Sequence, residues 1–278
     1  MKEMSLSKTI YSFARATFLV LAAMTATADA RQHGAHESLV TASLSTATER
    51  WDAPFTVVLR FSIAPAWHLY WSNPGDAGLS PVIRWSLPDG FSAGPPRFPT
   101  PQKIVDDGMI TYGYHRELIL LTTVTPPVGF IPDRHDTIRA ALEWLVCNES
   151  CLPGDTTLAL SLTGVDRTSE DALRAEERFR RAAPEPWSTR SAQPVQVRAS
   201  HAGSGISLYL HLGTRVDDFY PGAMQDAVVD LTGITIDEQG VTIPLHPSGA
   251  TTVIRTLDGI AVVGGKGYTI EAPVQYTE

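Results

Sequence analysis

The chain contains only two cysteines, Cys147 and Cys151, and three residues separate them. A disulfide needs Cα atoms roughly 4.4–6.8 Å apart, whereas residues four apart in an extended strand lie about 13 Å apart at ~3.3 Å per residue. The two thiols can therefore pair only across a tight turn or on a single helical turn. Two thiols this close suit a structural disulfide, thiol–disulfide exchange or the binding of a soft metal ion.

The residues on both sides of the cysteines alternate between apolar and other side chains with a period of two. This pattern covers 138–146 and 158–162, and it predicts two β-strands that meet at a short, cysteine-lined connection. The same alternation places Cys147 on the face that carries Arg139 and Glu143, away from the core. We therefore predict that the Cys147 thiol is reachable and that it is the attacking sulfur in the reduced protein.

The small size of the loop between the cysteines bears on what the pair does. A structural disulfide is the simplest interpretation, but a bridge across so small a loop removes little entropy from the unfolded chain. Exposure and strain in a turn make a disulfide reducible, which favours exchange. Two thiolates with His68 or His115 would also suit a soft ion such as Cu(I). The alternative to exchange is a non-catalytic β-sandwich module that binds copper or a protein partner, with Cys147–Cys151 as a staple.

Two further segments carry side chains that could surround a thiol pair. Tyr112 and Tyr114 lie in a predicted loop and would suit a flap that keeps small oxidants away from a thiol, although such residues also occur in ordinary turns. Asp106 and Asp107 begin the same loop, and a carboxylate beside a cysteine pair would raise the thiol pKa. The aromatic run 67–71 predicts packing on a core or on a sheet face.

The first 30 residues have the pattern of a secretory signal peptide. Basic residues precede the apolar run 16–24, which is too short to span a bilayer, and a small-x-small cleavage site ends at Ala30. We expect export to an oxidising compartment, most simply a bacterial periplasm. The polar tail that follows, with His33 and His36, is predicted to be mobile rather than metal-binding. No later stretch approaches ~20 apolar residues, so no membrane insertion of the mature chain is expected.

Charge and motif content exclude several classes of partner. The formal net charge is −8, and the only lysines after residue 30 are Lys103 and Lys266. An acidic, lysine-poor surface argues against nucleic acid and anionic lipid as partners. The sequence also has no glycine-rich phosphate loop, zinc-ligand spacing or serine-hydrolase elbow. We therefore predict neither a cofactor nor a metal requirement.

Short alternating segments, separated by Gly and Pro every ten or so residues, predict an all-β protein built from β-sandwiches. The exception is 167–183, where the spacing of Ala172, Ala175 and Phe179 predicts one helix that joins two such domains. The predicted units are a signal peptide (1–30), a redox domain with the cysteine pair (31–165), a connector helix (166–186) and a second β-sandwich domain (187–278).

Four separated motifs resemble, in the same order, the N-terminal domain of DsbD-type thiol:disulfide interchange proteins, in particular the branch associated with copper-sensitivity suppression. The motifs are Trp67-His-Leu-Tyr70-Trp-Ser-Asn-Pro-Gly-Asp-Ala-Gly78, Pro99-Thr-Pro101, Thr111-Tyr-Gly-Tyr114 and Trp144-Leu-Val-Cys-Asn-Glu-Ser-Cys-Leu-Pro-Gly154. The resemblance covers roughly residues 45–165. It is weaker over 190–278, where it depends on Asp218-Phe-Tyr-Pro221 and on the spacing of the strands.

The resemblance implies an immunoglobulin-like domain that exchanges thiols and disulfides through Cys147 and Cys151, as a protein-disulfide reductase does. Such a domain takes electrons from a membrane-embedded thiol transporter and passes them to periplasmic thioredoxin-like or oxidised substrate proteins. The branch that this chain resembles further implies a role in copper tolerance. The segment 112–114 matches the family's cap loop, and His68 and Tyr70 match its aromatic bed beside the cysteines.

The chain departs from the better-known members in two ways. Those members space the two cysteines more widely, which leaves the geometry of this turn open. They also continue into a transmembrane domain and a thioredoxin domain, whereas this sequence stops at Glu278. We therefore expect the electron donor to act in trans.

Overall fold

The computed structural model describes residues 39–48, 50–163, 170–202, 205–249 and 252–276. The predicted signal peptide, the two histidines of the N-terminal tail and the first residues of the predicted helix lie outside these ranges. Within the described residues the chain forms two β-sandwiches with one α-helix between them. No helix in these ranges is long and apolar enough to cross a bilayer.

The first sandwich, called here the N-terminal sandwich, consists of two sheets. Its strands are β1 (Val40–Thr46), β2 (Phe55–Ile63), β3 (His68–Gly75), β4 (Val82–Ser86), β5 (Ser92–Ala93), β6 (Gln102–Asp106), β7 (Met109–His115), β8 (Glu117–Thr125), β9 (Thr137–Cys147) and β10 (Cys151–Ser161). The four-stranded sheet has the order β1-β2-β8-β5. The six-stranded sheet has the order β10-β9-β3-β7-β6, and β4 pairs with β9.

Alternating burial along the strands explains why the two sheets face each other. In β9 the even-numbered side chains from Ile138 to Val146 are buried, while Arg139 and Glu143 are exposed. These buried side chains pack across the core against residues of the four-stranded sheet such as Phe61 and Leu118. Full burial of such a side chain contributes about 1.5–3 kcal/mol, so this alternation sets the face on which each residue of β9 lies.

The helix α1 (Glu170–Ala182) covers the outer face of the four-stranded sheet. Ala172, Ala175 and Phe179 are buried, and they pack against apolar side chains of β2 and β8. The backbone carbonyl of Ala182 accepts a hydrogen bond from the amide of Thr100 at 2.8 Å. The predicted apolar face of the helix is therefore used, and it is used on the N-terminal sandwich.

The C-terminal sandwich follows the helix and has a core of its own. Its elements are β11 (Glu185–Pro186), a 3-10 helix (Trp187–Thr189), β12 (Gln196–Ala202), β13 (Gly205–His211), β14 (Asp218–Pro221), β15 (Ala227–Val229), β16 (Thr235–Ile236), β17 (Gly240–Pro247), β18 (Thr256–Val263) and β19 (Lys266–Tyr276). The longest path of paired strands is β14-β18-β19-β12-β13-β17-β15. The predicted all-β class, with two immunoglobulin-like sandwiches and a short joining helix, is confirmed.

Candidate functional site

The cysteine pair closes the hairpin between β9 and β10. Cys147 and Cys151 are directly opposite each other in the antiparallel register. The chain turns over the three residues between them, and the amide of Asn148 donates to the carbonyl of Ser150 at 3.1 Å. This turn brings the two Cα atoms to 4.1 Å, and the sulfurs are bonded. The predicted cysteine-lined connection between two strands is confirmed.

The two bonded sulfurs lie in different environments. Cys151 begins the edge strand β10 and is exposed, whereas Cys147 is 1% exposed. The prediction that Cys147 is the reachable thiol was therefore wrong. Cys147 is in register with the outward face of β9, but β3 pairs with β9 at this point and places His68 directly opposite Cys147. Alternation identifies the face of a residue, whereas exposure also depends on the neighbouring strand.

Tyr70 lies against the exposed sulfur. Its Oη is 3.8 Å from the Sγ of Cys151, and because a disulfide sulfur carries no proton, the phenol is the donor. The side chain of Tyr70 is 2% exposed, and burial raises the pKa of its phenol. The hydroxyl therefore keeps its proton at neutral pH and remains a donor. The prediction that Tyr70 lies beside the cysteines agrees with this contact.

His68 lies opposite Cys147 in the sheet and beside a second histidine. Its ring is 5.0 Å from the ring of Tyr70 and 5.5 Å from that of His115, and Nδ1 of His115 is 3.1 Å from the carbonyl of Trp67. Burial lowers the pKa of His68, the charge of His115 lowers it further, and Asp106 opposes both. Among the described residues, no group of three or more His, Cys, Asp and Glu side chains is placed to hold a metal ion.

Asp106 and Asp107 lie at the turn of the β6–β7 hairpin, where Asp106 pairs with Met109. Both aspartates are exposed. Asp106 is close enough to His68 to raise its pKa, so it belongs to the electrostatic surroundings of the site. Asp107 has a φ of +46° and forms the turn itself.

Tyr112 and Tyr114 do not form a flap over the thiols. The predicted loop is a hairpin, and both tyrosines belong to strand β7. They are 1% and 5% exposed and lie in the core between the sheets, where the hydroxyl of Tyr114 donates to the carbonyl of Pro99 at 2.8 Å. In the β3–β7 register Tyr114 is opposite Leu69, whereas His68 is opposite His115. The tyrosines therefore point to the face opposite the cysteines, and the cap-loop assignment was wrong.

Gly78 is a site residue that the sequence reasoning did not single out. It has a φ of +98°, and a Cβ at this position would lie 2.2 Å from both Cε1 and Cζ of Tyr70. The backbone after β3 thus lies directly on the phenol ring. The signal was present in the run Asn73-Pro-Gly-Asp-Ala-Gly78, because two glycines so close to an aromatic strand indicate close backbone approach.

These elements define a class of protein: an immunoglobulin-like β-sandwich with a disulfide across a tight hairpin at the end of one sheet. Residues 41–163 match the family model "Thiol:disulfide interchange protein DsbD, N-terminal". This segment of the chain is similar to that domain, as the resemblance of the sequence motifs predicts.

A solved structure has a similar fold. The N-terminal periplasmic domain of ScsB from Proteus mirabilis is 18% identical, with a TM-score of 0.60, and the match covers 84% of this chain and 91% of that one. At this identity the likeness shows the fold alone.

Two structures from Neisseria meningitidis match a smaller part of the chain. The reduced DsbD N-terminal domain is 21% identical over 46% of this chain and 89% of that one, with a TM-score of 0.33. The complex of the DsbD and PilB N-terminal domains is 20% identical over 48% and 89%, with a TM-score of 0.32. No curated protein sequence matches this chain.

Proposed function

We propose that this protein is a periplasmic thiol:disulfide interchange protein that passes electrons between a membrane-embedded thiol partner and oxidised periplasmic proteins. The observation that carries the proposal is the unequal exposure of the two bonded sulfurs, with Cys151 open to a partner and Cys147 buried opposite His68. The family of residues 41–163 supports thiol:disulfide interchange in general.

The exposed sulfur determines the order of steps. A partner thiolate attacks the Sγ of Cys151, a new S–S bond forms, and Cys147 leaves with the electron pair as a thiolate that takes up a proton. The partner's second thiolate then attacks the partner's first sulfur, which is bonded to Cys151 in the mixed disulfide. This step releases Cys151 as a thiolate. The partner becomes a disulfide and the cysteine pair gains two electrons. The reverse sequence, which starts from the Cys151 thiolate, reduces an oxidised protein.

The proposal requires that the fold tolerate both the disulfide and the dithiol form of the cysteine pair. The bridge joins residues that the β9–β10 register already holds opposite each other, and so short a loop gives the disulfide little entropic effect on stability. Reduction therefore leaves the hairpin paired through its backbone. A disulfide with this small structural role is free to be exchanged.

The proposed partners and location follow the same interpretation. The donor on this proposal is a membrane-embedded thiol transporter, and the acceptors are periplasmic thioredoxin-like or oxidised substrate proteins. Export depends on the proposed signal peptide, residues 1–30, which is then removed. We further propose that the exchange contributes to copper tolerance, which growth of a deletion strain on copper would test.

We also propose that the chemistry belongs to residues 31–165 and that residues 187–278 contribute docking or orientation. Both cysteines precede α1, which supports the first part of this division. The packing of α1 on the N-terminal sandwich indicates that a stable fragment must extend to residue 186. Fragment 31–186 should fold by near-ultraviolet circular dichroism and react with dithiothreitol. A folded but unreactive fragment would contradict this division.

Trapping a mixed disulfide tests the proposed order of steps. Reduced Cys147→Ser and Cys151→Ser chains are incubated with oxidised glutathione, and adducts are followed by mass spectrometry. The variant that keeps Cys151 should form the adduct at least about tenfold faster, because only its thiol is exposed. Equal rates would contradict the assignment of Cys151. A reduction potential of the native pair below about −300 mV, the range of inert bridges, would instead support a binding module with a structural disulfide.

A further inference from the structure

The segment 73–78, called here the β3 clamp, connects the C-terminal sandwich to the redox site. At one end, Nδ2 of Asn73 donates to the carbonyl of Pro221 at 2.8 Å, and Pro221 ends strand β14. The same side chain accepts, through Oδ1, a hydrogen bond from the amide of Gly75 at 3.2 Å. One asparagine therefore holds both its own loop and the second sandwich.

The middle of the clamp is held by contacts with β7. The register between β3 and β7 is irregular between Tyr70 and Gly75, so this stretch lacks regular ladder bonds. Gly75 has a φ of +88°, and a Cβ there would lie 2.4 Å from the carbonyl oxygen of Ile110. The amide of Asp76 donates to that oxygen at 2.9 Å, and its carboxylate accepts from the amide of Ile110 at 2.7 Å. Asp76 thus fastens the clamp to β7.

The far end of the clamp sets the position of a phenol. A Cβ on Gly78 would lie 2.2 Å from Cζ of Tyr70, and the hydroxyl that Cζ carries lies 3.8 Å from the Sγ of Cys151. A shift of the clamp therefore moves the hydroxyl relative to the sulfur. In the reduced protein this sulfur becomes a thiolate, and an O–H donor close to a thiolate stabilises its charge and lowers the thiol pKa.

We propose that Asn73 and Gly78 are positioning residues that hold the Tyr70 hydroxyl on the Cys151 sulfur, and that the C-terminal sandwich, through Pro221, takes part in setting the reactivity of Cys151. The proposal rests on the proposed function, because only an exchanging thiol needs its reactivity set. It gives residues 187–278 a defined role in orientation.

The pH profile of one thiol tests the proposal. In the full mature chain with Cys147→Ser, the rate of iodoacetamide alkylation against pH reports the pKa of the Cys151 thiol. Tyr70→Phe removes the donor, and we expect a higher thiol pKa and roughly tenfold slower alkylation at neutral pH. Gly78→Ala should move the profile in the same direction, because the added methyl displaces the ring. Gly108→Ala is the matched control, since Gly108 also has a positive φ, +81°, with no atom within 4 Å of the added Cβ.

The double variant Tyr70→Phe/Gly78→Ala separates positioning from general damage. If Gly78 acts through the hydroxyl, the double variant should match Tyr70→Phe alone. Additive shifts, or a Gly78→Ala profile no different from that of Gly108→Ala, would overturn the proposal. If Gly78→Ala does not fold, Asn73→Asp replaces it, because it keeps the acceptor for Gly75 and loses the donor to Pro221. An unshifted Asn73→Asp profile would then overturn it.

These outcomes are independent of the exchange experiment. The single-cysteine alkylation profile needs no partner and no disulfide, so it reports on the clamp even if the native pair resists dithiols. Conversely, the native pair could exchange while the alkylation profiles of Tyr70→Phe, Gly78→Ala and Asn73→Asp stay unshifted. That result would support the proposed function and exclude the proposed role of the clamp.

Discussion

At the scale of residues, the chemistry depends on the different surroundings of two bonded sulfurs. The exposed Cys151 meets the Tyr70 hydroxyl at 3.8 Å, while the buried Cys147 lies opposite His68. In the proposed exchange, an incoming thiolate reaches Cys151, and Cys147 leaves into a site shielded from solvent. His68 is the titratable group directly opposite that leaving sulfur.

The titration of His68 gives the first prediction. Burial and His115 lower the pKa of His68 from its ordinary value of 6.5, and Asp106 raises it. We expect His115→Gln to raise the pKa of His68 and Asp106→Asn to lower it, as measured by the pH dependence of its ring resonances in NMR spectra. Shifts of the same sign in the two variants would contradict this arrangement of charges.

The lowered pKa of His68 also has a consequence for stability. The unfolded chain binds this proton more readily than the folded chain, so stability from His68 is complete above its ordinary pKa and is lost as the pH falls through its folded pKa. Below about pH 6 the unfolding midpoint of the native chain should therefore fall more steeply than that of His68→Gln. Parallel curves would show that the protonation of His68 is not coupled to folding.

The second prediction concerns Tyr112, which sequence reasoning assigned to a flap. Because its side chain is 1% exposed in the core, Tyr112→Ala should lower the free energy of unfolding by about 3–5 kcal/mol, as measured by urea denaturation. Met109→Ala on the same strand, where the side chain is 47% exposed, is the control and should change it by less than about 1 kcal/mol. If Tyr112→Ala left stability unchanged and its thiols were alkylated faster, the result would support the flap hypothesis instead.

At the scale of elements, α1 is part of the N-terminal sandwich rather than a free connector. Its small and aromatic residues cover the outer face of the four-stranded sheet. The guanidinium of Arg178 pairs with Glu117 of β8 at 3.0 Å, and Glu117 also pairs with Arg60 of β2 at 2.6 Å. Arg97 stacks over the ring of Phe179 at 5.6 Å. Without the helix, the outer apolar surface of β2 and β8 would face water.

The third prediction tests this packing with two residues of the same helix. Phe179 is 5% exposed and Leu173 is 51% exposed. Phe179→Ala should lower the free energy of unfolding by about 3–5 kcal/mol, whereas Leu173→Ala should lower it by less than about 1 kcal/mol. Urea denaturation of the two variants makes the comparison. Equal losses would mean that helix propensity, and not contact with the sheet, decides the effect.

At the scale of the whole molecule, the two sandwiches share a core cluster. Tyr220 and Ile260 of the C-terminal sandwich are buried in the same cluster as Tyr112, and the rings of Tyr112 and Tyr220 are 4.9 Å apart. Burial and the nearby Asp218 raise the pKa of Tyr220 to about 12. The interface between the two sandwiches therefore buries the rings of tyrosines together with their hydroxyl groups.

The fourth prediction concerns a close approach of Gly267 to Thr100 across this interface. A Cβ on Gly267 would lie 2.2 Å from Oγ1 and 2.8 Å from Cγ2 of Thr100, and Oγ1 of Thr100 has no hydrogen-bond partner among the residues that the structure describes. Gly267→Ala should therefore lower the free energy of unfolding by about 1–3 kcal/mol, and Thr100→Ala in the same chain should restore most of it. Gly249→Ala, where the nearest atom is 3.6 Å from the added Cβ, is the control. Failure of the second substitution to restore stability would contradict this contact.

Local patterns in the sequence determined strands β9 and β10, the helix and the turn that lets the two cysteines pair. Period-two alternation over 138–146 and 158–162 is a property of neighbouring residues, and a disulfide between residues four apart needs only the turn between two strands. The resemblance of residues 41–163 to the matching family model was also recognisable from motifs, which are local in the same sense.

Only the tertiary structure decided which sulfur is exposed and which side chains surround it. Cys147 is buried because a strand from elsewhere in the chain pairs beside it, and Tyr70 meets Cys151 across 81 positions of sequence. Tyr112 and Tyr114 are in the core because β7 pairs with β3 in a register that no local pattern specifies. Exposure and contact between distant segments depend on how sheets are ordered, and strand order is a property of the whole fold.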